Sequence, residues 1–320
     1  MKLVNPKKEL IFDEKTTTFH ICHASNVCPL PDGSVLAVWF AGEKEGSDDI
    51  AIWSSRKVDG VWSKPVQTAH DINEPHWNPV VYARQDGTVM LFYKVGRNIS
   101  QWYTKVRISN DNGVIWSEGK ELVPGDRGGR GPVRCKVITL SDGSMLAGAS
   151  TEEGIWRAYA DASHDGGATW ELSGEITIDV TYNGENTAED SDIQVSVQSF
   201  YGRGVIQPTL WESGAGNVHM LLRSTEEQIY RADSEDFGKT WSKAYATGLP
   251  NNNSGIDVAR CEDGTLVLCS NPVAKNWGPR TPITLQISKD NGLTWKKAVV
   301  LEDIPGEYSY PCVICQKDKL

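Results

Sequence analysis

Two arginines from distant parts of the chain, Arg223 and Arg280, have the clearest chemical meaning. Clustered guanidinium groups cost stability unless an anion is expected between them, and a guanidinium pairs well with a carboxylate. Polar and aromatic residues such as Trp77, Asn78 and Tyr310 could join them, offering donors to sugar hydroxyls and flat rings to sugar faces. These residue types indicate a pocket for a carboxylate-bearing sugar, provided that the fold brings them together.

A repeated eight-residue phrase indicates the elements that would do so. It begins with serine, contains an aspartate and a glycine, and ends with tryptophan, at residues 109–116, 163–170, 234–241 and 288–295, with a decayed copy at 55–62. Three of the four intervals between the serines are 54 residues and the other is 71. The aspartate can accept hydrogen bonds from turn amides, the glycine can take positive φ, and the tryptophan covers the turn. Such a repeat indicates stacked or radially arranged units.

A second marker gives the other hairpin of each period. Asp-Gly turns lie at residues 31–33, 85–87, 141–143 and 262–264, between β-branched runs. Residues 212–216 and 317–318 resemble two further members, which makes six turns. Two hairpins per period form four antiparallel strands, which is one propeller blade. We therefore predict an all-β fold, a six-bladed β-propeller of four-stranded antiparallel blades, in a single domain covering residues 1–320.

The two chain ends are predicted to meet. The last blade would be completed by the stretch Leu3–His20, in which Glu9–Phe12 reads as a strand, so that no sheet edge is left exposed. The extra residues of the long interval fall around Asp179–Arg203 and are expected to form an inserted loop.

Composition narrows the classes of partner. A formal net charge of −10 argues against nucleic acid, no apolar run approaches the length of a membrane span, and the N-terminus lacks the apolar core of a secretory signal. The seven cysteines are expected to be buried free thiols in a cytoplasmic protein. No constellation of residues suggests a metal or another cofactor, and the expected partner is an oligosaccharide or glycoconjugate substrate.

Propeller geometry predicts which residues meet. The innermost strands all start at the same mouth of the central channel, so residues at equivalent offsets from the six turns converge there. The loops that link second to third strands open at the same mouth. The residues expected to bind the substrate at this mouth are Arg223, Arg280, Arg134, Lys136, Trp77, Asn78, Arg97, Glu152, Arg157, Asp257 and Tyr310.

On these motifs the chain resembles the sialidase superfamily of six-bladed propellers, specifically the BNR-repeat or Asp-box proteins. Sialidases hold a substrate carboxylate with three arginines, and Arg223 and Arg280 look like the second and third of these. The resemblance implies that Tyr308, in the phrase Glu307–Tyr310, is the catalytic nucleophile. It also implies a general acid in the carboxylate-rich stretch Glu43–Asp49, and we choose Asp49.

Two positions depart from the family pattern. The position of the first arginine is occupied by His23, and the glutamate that usually partners the tyrosine is replaced by Gln207. An amide cannot accept the tyrosine proton, so either Glu152, Glu153, Glu307 or His23 substitutes for the glutamate, or the mechanism differs from that of the family.

Three functions fit this pattern. The first is an exo-glycosidase of sialidase type that removes a terminal acidic sugar, with Tyr308, Asp49, His23 and Gln207 at its catalytic centre. The second is a uronate lyase, in which His23 and Tyr308 exchange protons while the arginines neutralise the carboxylate. The third is a glycan-binding propeller without catalysis.

Overall fold

The computed structural model describes residues 7–181 and 202–316, and almost all of its regular structure is β-strand. Two single 3-10 turns, Glu14–Thr16 and Ile99–Gln101, complete the regular elements of these residues. The all-β prediction is therefore confirmed. The core of the predicted inserted loop, residues 183–190, and the predicted sixth turn, residues 317–318, lie outside the described residues.

Two antiparallel sheets come from the first third of the chain. The first sheet contains β1 (Ile21–Pro29), β2 (Val35–Gly42), β3 (Ala51–Val58), β4 (Val61–Trp62) and β5 (Val66–Ala69), in the order β1-β2-β3-β4 with β5 also paired to β3. The second contains β6 (His76–Ala83), β7 (Val89–Val95), β8 (Tyr103–Ser109) and β9 (Lys120–Glu121), paired in sequence order.

Three further groups of four strands follow. They are β10 (Ile138–Thr139), β11 (Met145–Thr151), β12 (Ile155–Ser163) and β13 (Glu171–Leu172); β14 (Arg203–Gly214), β15 (Asn217–Ser224), β16 (Gln228–Ser234) and β17 (Tyr245–Pro250); and β18 (Asp257–Arg260), β19 (Leu266–Ser270), β20 (Ile283–Ser288) and β21 (Lys296–Glu302). A short parallel pairing of β12 with β14 joins the first two of these groups into one sheet. Within each group the strands pair antiparallel, as the repeat predicts.

Both kinds of predicted turn form. In each complete copy of the repeated phrase the aspartate accepts backbone N–H groups of its own turn; Asp290 Oδ1, for example, accepts Thr294 N at 2.9 Å. In the Asp-Gly turns the aspartate accepts the N–H two residues on, as Asp86 does from Thr88 at 2.9 Å. Gly87, which lies between Asp86 and Thr88, has φ of 91°, a conformation open to glycine without steric cost. Each turn is therefore closed by its own side chain.

The predicted closure by an N-terminal strand is not observed. Glu9–Phe12 contains no strand; instead Phe12 packs on Trp39 of the first sheet, with ring centroids 5.1 Å apart. Lys8 forms an ion pair with Glu302 of β21 at 2.5 Å, and Glu9 forms one with Lys57 of β3. The segment thus connects the first and last sheets through side-chain contacts and not as a strand. The local sequence of the segment could not predict these contacts.

The prediction that all cysteines are free thiols is wrong for one pair. Cys261 and Cys315 form a disulfide across 54 residues of sequence, while the remaining five cysteines are free. The partner cysteines meet because the C-terminal segment returns beside the end of β18, and this juxtaposition is tertiary. The bond links that segment, which carries Tyr310, to the last sheet.

The apolar core lies between neighbouring sheets. Val38 and Phe40 of the first sheet pack with Leu91 and Tyr93 of the second, and all four are at most 1% exposed. Equivalent clusters join the later sheets. The second strand of each group is therefore buried on both faces, which gives the rigid frame on which the site is mounted.

A repeated backbone feature lies within or just before the first strand of every strand group and recurs in the C-terminal segment. At these places a residue other than glycine takes a left-handed conformation with φ between 44° and 63°. The six residues are Ala24, Asn78, Arg134, Gln207, Asn253 and Tyr310. In β1, β6 and β14 the residue lies in a bulge that shifts the pairing register. Such conformations cost free energy and persist only where the surrounding structure enforces them.

The left-handed conformation of Ala24 predicts that two buried alanines respond differently to substitution by glycine. Ala24→Gly should leave the free energy of unfolding nearly unchanged, because relief of the left-handed conformation, about 1 kcal/mol, offsets the lost methyl group. Ala37→Gly, in the middle of β2 and equally buried, should cost about 1.5 kcal/mol. Urea unfolding of both variants measures the difference; equal losses would contradict it.

Candidate active site

A pocket of about 620 Å³ opens where the left-handed residues come together. Thirteen residues from all five strand groups and the C-terminal segment line it: His23, Glu45, Trp77, Asn78, Ile99, Trp102, Glu152, Trp156, Gln207, Arg223, Trp277, Arg280 and Tyr310. The structure thus brings together eight predicted residues.

The bulges decide which side chains enter the pocket. Asn78, Gln207 and Tyr310 are themselves left-handed residues, and His23 directly precedes another, Ala24. A strand alternates its side chains between two faces, so a bulge re-aims the residues that follow it. The pocket is therefore built by a backbone irregularity that recurs around the molecule.

Arg223 on β15 is the central cation of the pocket. Its Nη1 donates to Gln207 Oε1 at 3.1 Å and to the Tyr310 hydroxyl at 2.6 Å, and its Nε donates to Asn253 Oδ1 at 3.0 Å. All three partners are neutral, and among the described residues no carboxylate forms an ion pair with Arg223. Only 2% of this residue is exposed. A buried guanidinium without a counter-ion is costly, and an anionic ligand would compensate its charge.

Arg280, in the segment between β19 and β20, provides the second cation. Its Nη1 donates to Glu307 Oε1 at 2.5 Å, and its guanidinium lies 5.3 Å from the ring centroid of Tyr310. Burial would raise the pKa of the Glu307 carboxyl, but Arg280 holds it below its usual value. Of the two arginines in the pocket, Arg280 is thus already paired with a carboxylate.

His23 on β1 contacts the site tyrosine directly. Its ring centroid lies 4.2 Å from that of Tyr310. Burial, and then the positive charges of Arg280, Arg223 and Arg134, lower the pKa of His23 to about 4. His23 is therefore neutral near pH 7 and cannot replace the charge of an arginine, but it can accept a proton.

Two carboxyl groups face the same pocket. Burial raises the pKa of Glu152, whose side chain hydrogen-bonds Gln207; within the described part of the chain its Oε1 has no partner. Burial also raises the pKa of Glu45, which lies close to Arg280 and Glu307. Both groups favour the protonated form more than an exposed carboxyl does, as an acid catalyst requires.

Several pocket residues escaped the sequence analysis. Glu45 lies in the carboxylate-rich stretch Glu43–Asp49 that was expected to supply the acid, so the loop was correctly identified but not the residue. Trp102, Trp156 and Trp277 form much of the apolar wall. The only sign of these three residues in the sequence is its high tryptophan content, and many of the tryptophans belong to the repeated phrase. Trp77, which was predicted, donates its indole N–H to Gly96 O at 2.9 Å.

The structure places Tyr308 and Asp49 away from the pocket lining. The Tyr308 backbone is anchored by its N–H to Arg280 O at 2.8 Å and by its carbonyl to Asn271 Nδ2 at 2.9 Å. Two residues later, the left-handed Tyr310 enters the pocket in its place. Asp49 is used within its own loop, where Oδ2 accepts Glu43 N at 2.7 Å.

The other predicted cations and Asp257 also lie outside the pocket. Arg134, 1% exposed, donates to the carbonyls of Ile256 and, at 2.7 Å, Pro311, and so supports the backbone behind the pocket. Lys136 and Asp257 pair with each other, and Asp257 further accepts Thr209 Oγ1 and Val313 N, both at 2.7 Å. These buried groups position strands and the C-terminal segment.

Arg97 and Arg157 are surface residues. Arg97 forms an ion pair with Asp48, and Arg157 forms one with Glu175 at 3.3 Å. More than two fifths of the side chain of each arginine is exposed. Exposed pairs of this kind contribute little to stability and do not face the pocket.

In residues 7–181 and 202–316, no group of three or more His, Cys, Asp or Glu side chains is arranged to hold a metal ion. No helix within the same residues has the length and apolar character needed to cross a membrane.

Comparison with known proteins identifies the family. A family model described as a BNR repeat-like domain matches residues 33–320. A sialidase of Paraclostridium sordellii is 21% identical over 286 residues, which cover 77% of this chain and 66% of that protein, just under two thirds of its length.

Two solved structures show the similarity of fold. The Hadza microbial sialidase Hz136 has a TM-score of 0.73 at 16% identity, covering 92% of this chain and 61% of that one. A mutant of the NanB sialidase from Streptococcus pneumoniae has a TM-score of 0.74 at 15% identity, covering 98% and 66%. The matched family model shows that the chain belongs to the BNR repeat-like family, and the solved structures show that its fold is similar to that of sialidases.

Proposed function

We propose that this protein is a sialidase-like exo-glycosidase that removes a terminal, carboxylate-bearing sugar from a glycan. The single observation that carries the proposal is Arg223, a buried cation held by three neutral partners inside a pocket of about 620 Å³. An acidic sugar supplies the missing counter-charge, and the tryptophan walls suit its ring faces. The sialidase names of the similar proteins support the same substrate class.

The proposal includes a six-bladed propeller. Five strand groups each contribute one left-handed residue to the neighbourhood of the pocket, and Tyr310 of the C-terminal segment contributes the sixth. The contacts of Lys8 and Glu9 with the last and first sheets support a closed ring. The C-terminal segment would then be the inner strand of the sixth blade.

In the proposed reaction, Arg223 and Arg280 bind the substrate carboxylate and orient the anomeric carbon towards Tyr310. The Tyr310 oxygen forms a bond to that carbon as the glycosidic C–O bond breaks, and His23 takes the phenolic proton. Glu45 gives its proton to the leaving oxygen. Water then cleaves the tyrosyl intermediate; Glu45 accepts a proton from the water, and His23 returns its proton to the released Tyr310 oxygen. A neutral phenol is a suitable nucleophile here because it is not repelled by the substrate carboxylate.

A uronate lyase is the second candidate, favoured by the 4.2 Å contact of His23 with Tyr310. His23 would remove the proton at C5 of a uronate whose carboxylate is neutralised by the arginines. The C4–O bond would break, Tyr310 would protonate the leaving oxygen, and a C4=C5 double bond would form.

A panel of sialosides, uronosides and neutral aryl glycosides tests these functions when each reaction is followed by two readouts. Release of a reducing end without near-ultraviolet absorbance supports the hydrolase. Release with absorbance from an unsaturated product supports the lyase. Saturable binding without any product would support the non-catalytic alternative, and turnover of neutral glycosides alone would refute the role of Arg223.

The pH dependence of kcat/KM should reveal the two proton-transfer groups. His23 must be neutral to act as a base, so activity should fall as the pH drops through about 4. Glu45 must be protonated to act as an acid, so activity should fall at higher pH as Glu45 ionises. This fall should lie above the usual pKa of a glutamate, because burial raises the pKa of Glu45. Glu45→Gln should remove the alkaline limb. An acid limb near the ordinary histidine pKa of 6.5 would contradict the assignment of His23.

A further inference from the structure

A second group of reactive side chains lies at the far end of the β14–β15 pair from the pocket. Ser213 is near the end of β14, in the turn predicted at residues 212–216, and His219 is near the start of β15. The stretch of β14 from Gln207 in the pocket to Ser213 spans roughly 20 Å at the usual rise of a strand. The group is therefore separate from the pocket.

The three side chains have the order of a nucleophile, a base and an orienting carboxylate. Ser213 Oγ lies 2.7 Å from His219 Nε2. On the other side of the ring, His219 Nδ1 lies 2.5 Å from Oδ1 of Asp233, its cross-strand partner on β16. A hydroxyl, an imidazole and a carboxylate linked in this order can activate the hydroxyl oxygen for attack on a carbonyl carbon, whatever the fold.

The neighbours of His219 fix its tautomer. An indole N–H can only donate, and Trp211 Nε1 lies 2.8 Å from Asn291 Oδ1, so Nδ2 of Asn291 is the atom that faces His219 Nε2 at 3.1 Å. Nε2 therefore accepts hydrogen bonds from Asn291 and from the Ser213 hydroxyl. The ring proton is then on Nδ1 and is donated to Asp233. In this tautomer the imidazole can take the serine proton.

Asp233 is held as a carboxylate. Its Oδ1 accepts Arg231 Nε at 2.8 Å, and its Oδ2 accepts the Tyr245 hydroxyl at 2.6 Å. Burial would raise the pKa of the Asp233 carboxyl, but hydrogen bonds from His219, Tyr245 and Arg231 lower it to about 2. Arg231 Nη2 also lies 3.0 Å from His219 Nδ1, and the proton on Nδ1 leaves Asp233 as its acceptor. A carboxylate fixed in this way orients the imidazole.

The serine is accessible, whereas its base is shielded. Ser213 is half-buried at the turn, and 10% of the His219 side chain is exposed. Across the hairpin, Asn217 O lies 3.5 Å from Ser213 Oγ. The exposed Asn217 amide makes a long contact, 3.4 Å from Nδ2 to Ala215 O. This amide is a donor that can turn towards an oxyanion formed beside Ser213.

The surface around Ser213 is polar. Glu212 is held by the backbone N–H and the hydroxyl of Ser141 at 2.7 and 2.8 Å, and Gly214 and Ala215 are exposed. A long acyl chain would bury little apolar area on such a surface and would gain little free energy. The surface therefore suits a short acyl group, of acetyl size, carried by an alcohol.

We propose that Ser213, His219 and Asp233 form an esterase site for small acyl esters, separate from the proposed glycosidase site. His219 Nε2 takes the Ser213 proton as Oγ bonds to the acyl carbon, and Asn217 Nδ2 donates to the oxyanion. The C–O bond to the alcohol breaks, and the alcohol oxygen takes the proton from His219. Water attacks the acyl-serine and gives a proton to His219, which returns it to Ser213 Oγ as the acid leaves.

Hydrolysis of p-nitrophenyl acetate by the full chain tests the site. The wild type should release p-nitrophenolate, and Ser213→Ala should lower kcat/KM by roughly 100-fold or more. Ser173→Ala is the control, because it removes another half-buried serine hydroxyl, one that accepts the backbone N–H of Ala160 at 2.9 Å. It should leave the rate unchanged. A wild-type rate equal to that of buffer, or equal rates for the wild type and Ser213→Ala, would overturn the proposal.

Covalent labelling identifies the nucleophile without relying on turnover. A fluorophosphonate probe modifies activated serine hydroxyls, and mass spectrometry of a digest should locate it on the peptide that contains Ser213. Ser213→Ala should lose the label while keeping the thermal unfolding temperature of the wild type, since only a half-buried hydroxyl is removed. Labelling of a different serine, or of none, would overturn the assignment.

Asn217→Ala tests the oxyanion donor at an exposed turn position. It should lower kcat for p-nitrophenyl acetate by about 100-fold and leave KM within about threefold, because the amide is used only in the transition state. Equal losses in kcat/KM through KM alone would contradict this role.

Two further comparisons separate the esterase site from the pocket and define the acyl group. Tyr310→Phe should leave ester hydrolysis unchanged, and Ser213→Ala should leave turnover of an acidic glycoside unchanged, so that either site can fail alone. p-Nitrophenyl octanoate should be hydrolysed no faster than the acetate. A preference of about 10-fold for the octanoate would contradict the short acyl group.

Discussion

Tyr310→Phe should reduce turnover by roughly 10³-fold or more while leaving ligand affinity within about 10-fold of the wild type. The Tyr310 hydroxyl accepts Arg223 Nη1 at 2.6 Å, and its ring contacts His23 and Arg280, so only the reacting oxygen is lost. Removing a nucleophile abolishes the chemical step, whereas the arginines that bind the carboxylate remain. Steady-state kinetics and calorimetry with the same substrate measure both effects.

Tyr308→Phe is the matched control. It makes the same chemical change two residues away, at a side chain outside the pocket lining, and should leave kcat/KM within about threefold of the wild type. If Tyr308→Phe were the inactive variant and Tyr310→Phe retained activity, the family pattern read from the sequence would be right and the site described above would be wrong.

Gln207→Glu should weaken binding of a carboxylate ligand by roughly 100-fold. Gln207 Oε1 accepts Arg223 Nη1 at 3.1 Å, so a glutamate there would place a negative charge directly on the central cation. The internal ion pair would satisfy Arg223 and repel the ligand. The neutral amide is therefore what leaves the charge of Arg223 available.

Gln67→Glu provides the control for net charge. This residue is exposed on β5 and remote from the pocket, so its substitution should leave the affinity unchanged. Thermal unfolding should show little difference between Gln207→Glu and the wild type, because the partner gained by Arg223 is offset by a second carboxyl beside Glu152. Unchanged ligand affinity in Gln207→Glu would show that Arg223 does not bind the anion.

The regular part of the fold could be predicted because it is local. The aspartates and glycines of the two turn types act within a few residues of themselves, and their spacing identified strand groups without any tertiary information. His23 and Gln207 were expected at the pocket from their offsets to the turns, and Arg223 and Arg280 from the loops that link second to third strands; all four line it.

The remaining site residues depended on backbone irregularities that leave no trace in the repeat. A strand alternates its side chains, so the left-handed residue at 310 determines that Tyr310 faces the pocket while Tyr308 does not. Glu45 and Asp49 lie in one loop rich in carboxylates, and only its folded conformation separates the pocket residue from the one that binds its own backbone.

The long-range pairs were equally inaccessible to the sequence. Lys136 and Asp257 look like ligands of a sugar when read separately, yet each is the counter-ion of the other. The Cys261–Cys315 disulfide arises where the C-terminal segment returns to β18. The ion pair and the disulfide both depend on which strands become neighbours in the fold. The sequence repeat predicts the order of neighbouring strands only approximately.

The role of Arg223 is tested most directly by comparing the affinity of an acidic sugar with that of its uncharged counterpart. Calorimetry should be performed with an acidic sugar and with the amide of the same sugar, which keeps the shape and removes the charge. The acid should bind roughly 100-fold more tightly than the amide, and Arg223→Met should remove most of this difference, the remainder coming from Arg280. Equal affinities for the acid and the amide in the wild type would contradict the central claim that the uncompensated charge of Arg223 selects the substrate.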